Sequence, residues 1–419
     1  MNLQSESNVR YRDYLLRDNP FPMSPTLDPT SNDPRMSGEI FNEKVFAEEI
    51  EGLRNRIDSR INVIYVTGGG WERGIGKSAL VFHCWKELKK KSDATAYVRA
   101  SAQFKPTNFC NQIVRKWHHD GYLWKTFRSI LEQYKSSPSP KIRPNRIDSF
   151  LQTYQDMPDK VQLRLFTFER EDQVTSHMQK WVQSRDSGII PEAVRVFFKA
   201  YLTSPGEFVE IWNSLRVKGY DDIDYFGTLL RLFGLTRTYN YLVIDQFEFP
   251  VHSNQGKNQL GVFCSEMRRV VEVCAGKATL IVTLHPESEK VLEQRGGEHL
   301  TGLAGLDERH KLNIKEIEMN EAVDIALSYL NYFRLPNSKP KNELHPLEDK
   351  TIKYVQHIRG GVPRDILQTL FTIIEEGVNA RVANLDLDFV KKNHRRIFDI
   401  VFDKAAEEKL KNFMKLVNP

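Results

Sequence analysis

The run Ile61-Asn62-Val63-Ile64-Tyr65-Val66-Thr67 is short, apolar and rich in β-branched residues, and it breaks into glycine at Gly68. A continuous apolar run bounded by turn residues reads as a strand buried on both faces of a parallel sheet. The next segment is Gly68-Gly69-Gly70-Trp71-Glu72-Arg73-Gly74-Ile75-Gly76-Lys77-Ser78, after which Val81, Cys84, Trp85 and Leu88 recur at helical spacing. A strand, a glycine-rich loop and a helix in that order make a phosphate-binding loop. The glycines let backbone N–H groups turn inward onto phosphate oxygens, and the helix starting near Lys77 adds its N-terminal dipole. The turn Gly74, Ile75, Gly76, Lys77, Ser78 and Ala79 is therefore the expected ATP-binding segment. Lys77 is placed to reach the β- and γ-phosphates, and the Ser78 hydroxyl to ligate Mg²⁺. The strict spacing wants glycine at position 71, where Trp71 stands, and Gly70 comes one residue early. The half from Gly74 to Ser78 is the more informative one, and it is intact.

Further strands are predicted at 94–100, 241–244 and 278–284, with a fifth at 310–317. Helices alternate with them, and Phe263, Met267, Val270 and Cys274 share one face of the helix between the third and fourth. This alternation argues for an α/β fold: a P-loop NTPase three-layer sandwich with a parallel sheet, a large helical insertion and a C-terminal helical lid. Residues 1–39, rich in Asn, Asp, Pro and Ser, read as an extended, turn-rich arm. A helix is expected over about 42–58. Residues 40–317 form the nucleotide-binding domain, interrupted by an aromatic-rich helical insertion at about 104–234 that carries no nameable motif. Residues 318–419 form the lid and tail, beginning with a helix marked by Val323, Ala326, Leu327 and Leu330.

A phosphate loop needs a carboxylate at the tip of a neighbouring strand to hold the magnesium shell. Leu242-Val243-Ile244-Asp245-Gln246-Phe247-Glu248 supplies it in Asp245, with Glu248 close enough in sequence to polarise an attacking water. Either Glu248 takes that role, or turnover is slow and the chain acts mainly as a switch. The strand at 278–284 ends in Thr283 and His285, which can sense the γ-phosphate or simply cap the strand and face solvent. Gly360-Gly361-Val362-Pro363-Arg364 opens a helix with Leu367 and Leu370 as core positions, and Arg364 in its first turn is a candidate γ-phosphate ligand. Arg309 is a candidate trans-acting arginine finger, a cation that stabilises charge on the transferring phosphoryl group. Arg295 competes for that role, and both can equally be surface residues.

The order of Pro-Phe arm, phosphate loop, apolar strand ending in Asp245, polar-tipped strand and Gly-x-Pro-Arg helix resembles the AAA+ superfamily. The likeness is to its origin-recognition, transposition-regulator and STAND-type branch, and covers roughly 40–100 and 236–380. The layout also resembles ATP-binding proteins of phage-defence (BREX-type) systems. The resemblance implies that Lys77 and Ser78 stand at Walker A, Asp245 with Glu248 at Walker B, Thr283 or His285 at sensor 1, and Arg364 at sensor 2. Trp71, Gln246 where many hydrolysing relatives carry glutamate, and the long insertion depart from the pattern.

Composition allows a soluble protein of two or three packed units, with apolar residues at 40% and charged residues at 27% of 419. No run of about 18 apolar residues exists, so no transmembrane helix is expected. The polar stretch from Met1 to Asp18 has no apolar core of a secretory signal. Cys84, Cys110, Cys264 and Cys274 lie far apart in apolar segments, without metal-ligand spacing. They read as buried thiols of a cytoplasmic protein. The net charge of +5 permits a nucleic-acid partner without demanding one. The basic stretches Lys391 to Arg396 and Lys86 to Lys91 are the available phosphate-binding groups, or simply solvated helix faces. Three functions remain open. One is an ATPase whose nucleotide state controls homo-oligomer assembly on DNA or a DNA-bound protein; the second is a STAND-like switch sensing a protein or ligand through the insertion; the third is a nucleotide-binding scaffold with little turnover.

Overall fold

The computed structural model describes residues 10–68, 74–91, 94–138, 140–160, 171–253, 259–295, 309–340, 342–400 and 402–417. The strands are β1 (Val63–Gly68), β2 (Ala94–Arg99), β3 (Asn240–Asp245), β4 (Ala278–Thr283) and β5 (Lys311–Ile314). They form a five-stranded parallel sheet in the order β2-β3-β4-β1-β5. In register, Tyr97 on β2 stands beside Val243 on β3, and Arg99 beside Asp245. Every residue of β3 and β4 is buried, as their uninterrupted apolar sequences demand. The chain is thus an α/β protein whose P-loop strand, β1, is flanked by β4 and β5.

The backbone divides into two compact units. Met1–Arg54, Val66–Cys84 and Leu312–Pro419 form one; Asn55–Tyr65 and Trp85–Lys311 form the other. The second unit holds the aromatic-rich segment, which runs in helices from Pro106–His119 through Asp222–Leu235. Its core is built on rings: Trp117 stacks on Phe226 at 5.4 Å between centroids, and Phe127 packs against Phe150, Phe197, Phe198 and Tyr201. Each aromatic side chain buries roughly 150–250 Å², so every such stack removes several hundred Å² of apolar surface from water. Asp221 caps the last of these helices. Its carboxylate accepts from the N–H groups of Ile223 and Asp224, while Asp224 accepts in return from the N–H of Asp221.

In the first unit the N-terminal segment is packed rather than extended. Arg12–Tyr14 forms a 3₁₀ turn, and Tyr11, Tyr14, Leu16 and Phe21 are buried. The segment is tied to the C-terminal helices by hydrogen bonds. The Arg17 N–H donates to Phe333 O at 2.8 Å, Leu335 N–H to Leu15 O at 3.0 Å, and the Asn19 amide to Phe371 O at 3.1 Å. These apolar residues follow no strand or helix period, so sequence alone reads only turns here. The helix expected from about 42 begins at Ala47 instead. The Asn42 side chain accepts from the N–H groups of Lys44 and Val45, a local turn that competes with helical bonding.

The helices in the segment expected to form the lid are Met319–Phe333, Asp349–Ile358 and Pro363–Ala380. Pro363 opens the third, where its missing N–H costs nothing. Leu367 and Leu370 on that helix are buried, as their spacing requires. All four cysteines are buried, and none is joined to another in a disulfide.

Candidate functional site

In the first unit the chemistry gathers at the turn that opens the helix Lys77–Lys90. Trp71, Glu72 and Arg73 lie outside the described residues. Gly74 and Gly76 take φ of +106° and +103°, a backbone region that L side chains rarely adopt. They turn the chain into the helix, whose first residues are Lys77, Ser78 and Ala79, and Leu80 N–H donates to Gly76 O at 2.9 Å to begin it. Lys77 is buried and its Nζ donates back to the carbonyl of Gly68 at 3.4 Å. Ser78 is buried less deeply than the core, Ala79 is half-buried, and Ile75 is buried.

Arg364 sits at the same turn. Its N–H donates to Gly74 O at 3.2 Å, and its Nε donates to Pro25 O at 3.3 Å. A Cβ added to Gly74 would lie 2.5 Å from the Cβ of Arg364. A lysine, an arginine and a helix N-terminus therefore converge on one glycine turn, which is the electrostatic arrangement an anion requires. Gly361, at φ +75°, holds the turn before Arg364: its carbonyl accepts from Ile317 N–H at 3.0 Å, and a Cβ there would meet Ile317 O at 2.7 Å. Phe46 underlies the loop, its ring 3.2 Å from the Cβ position of Gly76, and stacks on Phe41, which in turn stacks on His83. Neither Phe46 nor the Pro25 carbonyl is marked by any motif in the sequence.

In the second unit Asp245 ends β3 and is 1% exposed. Both of its carboxylate oxygens are held: Thr283 Oγ1 donates to Oδ1 at 2.7 Å, and the Tyr97 hydroxyl to Oδ2 at 2.6 Å. Burial first, and then the charge of Asp245, push the Tyr97 phenol far above its ordinary range, so it stays protonated and donating. Thr283 Oγ1 also accepts from the Gln246 N–H at 2.8 Å. Gln246 adopts φ +60°, uncommon for a residue with a side chain, and the bond to Thr283 helps hold it there. Thr283 thus organises the tip of β3 as well as ending β4. Glu248 begins the short helix Glu248–Ser253 and is half-buried.

His285 is buried at 2% exposure, and its Nδ1 accepts from Glu287 N–H at 3.3 Å, which removes the reading of a surface histidine. Arg309 is exposed, with its carbonyl accepting from Arg56 Nε at 3.1 Å. Arg295 ends the helix Pro286–Arg295, and its side chain lies outside the described residues.

The basic stretch 391–396 is less available than its sequence suggests. Lys391 pairs with Asp388 at 3.0 Å and Arg396 with Glu376 at 3.2 Å. His394 is buried at 2% exposure against Tyr354 and Phe398, so it is withdrawn from any phosphate. Lys89, Lys90 and Lys91 remain exposed. No helix among the described residues is long and apolar enough to cross a membrane.

No protein-family model matches the chain, and no curated protein matches it. Solved structures do show backbone similarity. The Aeropyrum pernix ORC2 protein, in ADPNP-ADP complexes, aligns at TM-score 0.41 and 12% identity over 87% of this chain and 68% of its own. Cdc6p from Pyrobaculum aerophilum aligns at TM-score 0.38 and 9% identity over 85% and 71% respectively. The Aeropyrum pernix ORC1 protein in complex with DNA aligns at TM-score 0.40 and 10% identity over 86% and 67%. Similarity at this level carries no argument by itself, so the class rests on the parallel sheet and the turn that follows β1.

Proposed function

We propose that this chain is an AAA+-like ATPase whose ATP binding and hydrolysis control assembly, as a homo-oligomer, on DNA or on a DNA-bound partner. The observation that carries the nucleotide part is the convergence of Lys77 and Arg364 on the Gly74–Ser78 turn, where Arg364 N–H bonds Gly74 O at 3.2 Å. Cationic side chains and a helix N-terminus on one turn are suited to a polyphosphate. Lys77 and Ser78 are assigned to the phosphates and the metal, and Arg364 to the γ-phosphate.

The chemistry of Asp245 fits a magnesium role. A buried carboxylate fixed at the end of β3 by two hydroxyl donors, Thr283 and Tyr97, is the oxygen ligand type that magnesium and its bound water take. Bound magnesium would neutralise charge developing on the phosphate oxygens. Glu248 is assigned the task of orienting the attacking water, and Arg309 the supply of a cation from a neighbouring subunit. Similarity of the layout to origin-recognition proteins, which the sequence itself suggests, is what supports DNA as the partner.

Phosphate release by wild type, Lys77→Ala and Glu248→Gln tests the enzyme reading. Turnover in the wild type and its loss in both variants is the expected result, whereas near-background rates in all three would leave a scaffold. Retention on DNA measured with and without ATP tests the partner. Retention gained with ATP supports the assignment, and unchanged migration at low salt in every nucleotide state overturns it in favour of a switch without DNA.

A further inference from the structure

Away from the glycine turn, the second unit carries an open groove of about 370 Å³ lined by Trp85, Lys89, Tyr97, Arg115, Lys116 and His119, with Ala96 and Asp120 completing it. Three elements build it. The end of the helix Lys77–Lys90 brings Trp85 and Lys89, the edge strand β2 brings Ala96 and Tyr97, and the C-terminal end of Pro106–His119, with Asp120 after it, brings the rest. Its floor is aromatic: the Trp85 and Tyr97 rings lie 5.6 Å apart, tilted by 50°. Its rim is cationic. Arg115 and Lys116 are exposed and form no ion pair with any described residue. Lys89 lies over the Trp85 ring at 5.3 Å and reaches Asp120 at 3.3 Å, and His119 approaches the same carboxylate at 3.4 Å.

The charges do not balance locally. Among the described residues Asp120 is the only acid lining the groove, set against Lys89, Arg115 and Lys116. Lys90 and Lys91, next in sequence, are exposed, and Lys90 pairs with Glu87 at 2.6 Å. Side chains of one sign kept together cost repulsion, and an anion that spans them removes it. The groove is large enough for one nucleotide unit, at the small end of ligand-site volumes of roughly 300–1,000 Å³. Three cations less one acid leave a net charge of +2, which matches the two singly charged phosphates that flank one nucleotide of a strand. Aromatic floor and cationic rim are the two parts of a surface for an unpaired nucleic-acid strand.

We propose that this groove binds single-stranded nucleic acid, with phosphates on Arg115, Lys116 and Lys89 and a base taking the place of Lys89 on the half-buried Trp85 ring, beside the buried Tyr97. The proposal deepens the DNA-directed part of the proposed function and rests on it. It is separable from the nucleotide site, because Arg115 and Lys116 take no part in the glycine turn. Tyr97 also ties the floor to Asp245 through its 2.6 Å hydrogen bond, so the groove and the candidate magnesium carboxylate share one side chain.

The test uses the full chain, a fluorescein-labelled oligo-dT and its duplex, read by anisotropy across a salt series with and without ATP. The Arg115→Glu, Lys116→Glu double variant is the probe, since both side chains are exposed and their replacement leaves the core intact. The expected result is tighter binding of the strand than of the duplex, weakened at least tenfold in the variant. The slope of log affinity against log salt should shrink by about 0.7 for each phosphate that the variant no longer neutralises. ATP binding should be unchanged in the variant. Equal strand binding by wild type and variant overturns the groove while leaving DNA as a partner. Absence of nucleic-acid binding in every nucleotide state overturns both. Equal affinity for the duplex, or full competition by free dTMP, overturns the single-strand assignment.

Discussion

Replacing Gly74 by alanine separates crowding at the glycine turn from backbone strain, because Gly219 offers the same backbone angle without a neighbour. Both residues take φ of +106°. A Cβ at Gly74 would stand 2.5 Å from the Cβ of Arg364 and 3.0 Å from its Nε, whereas at Gly219 nothing lies within 4 Å. Forcing an L side chain to positive φ costs about 1–2 kcal/mol at either site. Overpacking adds about 1–3 kcal/mol at Gly74 alone. Gly74→Ala is therefore expected to lose about 2–5 kcal/mol and Gly219→Ala about 1–2 kcal/mol. Gly74 lies in the first unit and Gly219 in the second; for a unit of roughly 150–250 residues each kcal/mol lowers Tm by about 2–4 °C, so Gly74→Ala should lower the melting of its unit by several degrees more than Gly219→Ala lowers that of its own. Relief of the clash moves Arg364 or the turn itself, and both are assigned to phosphate. A titration with a fluorescent ATP analogue should accordingly show at least a tenfold loss for Gly74→Ala, about 1.4 kcal/mol, and little change for Gly219→Ala. Equal drops in melting temperature and equal affinities in the two variants would refute the placement of Arg364 against the loop and its assigned role.

Three further outcomes follow from the packing. Thr283→Val removes a donor from Asp245 and an acceptor from the Gln246 N–H, and should cost about 1–3 kcal/mol in urea unfolding; wild-type stability would contradict the arrangement at the tip of β3. Trp117→Ala empties a fully buried site stacked on Phe226 and should cost about 3–5 kcal/mol, and a loss under about 1 kcal/mol would mean that the aromatic core collapses around the gap. His118 and His357 are both held below the ordinary histidine range, chiefly by burial, so each folded site favours the neutral ring. Their contribution is present above the unfolded value of 6.5 and is lost as pH falls through the folded values. Tm should therefore drop between about pH 7.5 and about pH 5.5. His118→Gln, which keeps a polar partner for Tyr201, should flatten the drop, and an unchanged profile would exclude His118 as a source.

Strands β1 to β4 were legible because each is a largely apolar run bounded by turn residues, whereas β5 alternates polar and apolar residues over Lys311-Leu312-Asn313-Ile314; the loop was legible because Gly74-Ile75-Gly76-Lys77-Ser78 follows one of the apolar runs. The start of the Arg364 helix was legible from Gly360-Gly361-Val362-Pro363, a pair of turn glycines and a first-position proline. What the sequence did not carry was distance. Nothing in it places the Arg364 N–H on the Gly74 carbonyl, or the Tyr97 hydroxyl on Asp245, because pairing across the chain depends on packing rather than on local pattern. The N-terminal segment looked like a turn-rich arm for the same reason: Tyr14, Leu16 and Phe21 bury themselves on helices far away in sequence, without any period of their own. His394 misled in the opposite direction. Set among Lys391, Lys392, Arg395 and Arg396 it reads as part of a basic surface, yet its ring is buried and its Nδ1 pairs with Ile400 O at 2.9 Å.

The most direct measurement of the central claim is equilibrium binding of magnesium-ATP to the full chain and to Lys77→Ala, both shown to be folded by circular dichroism. The account predicts saturable binding by the wild type and its loss in the variant at unchanged fold. Wild-type protein that binds no ATP, or a variant that binds as tightly, would contradict it.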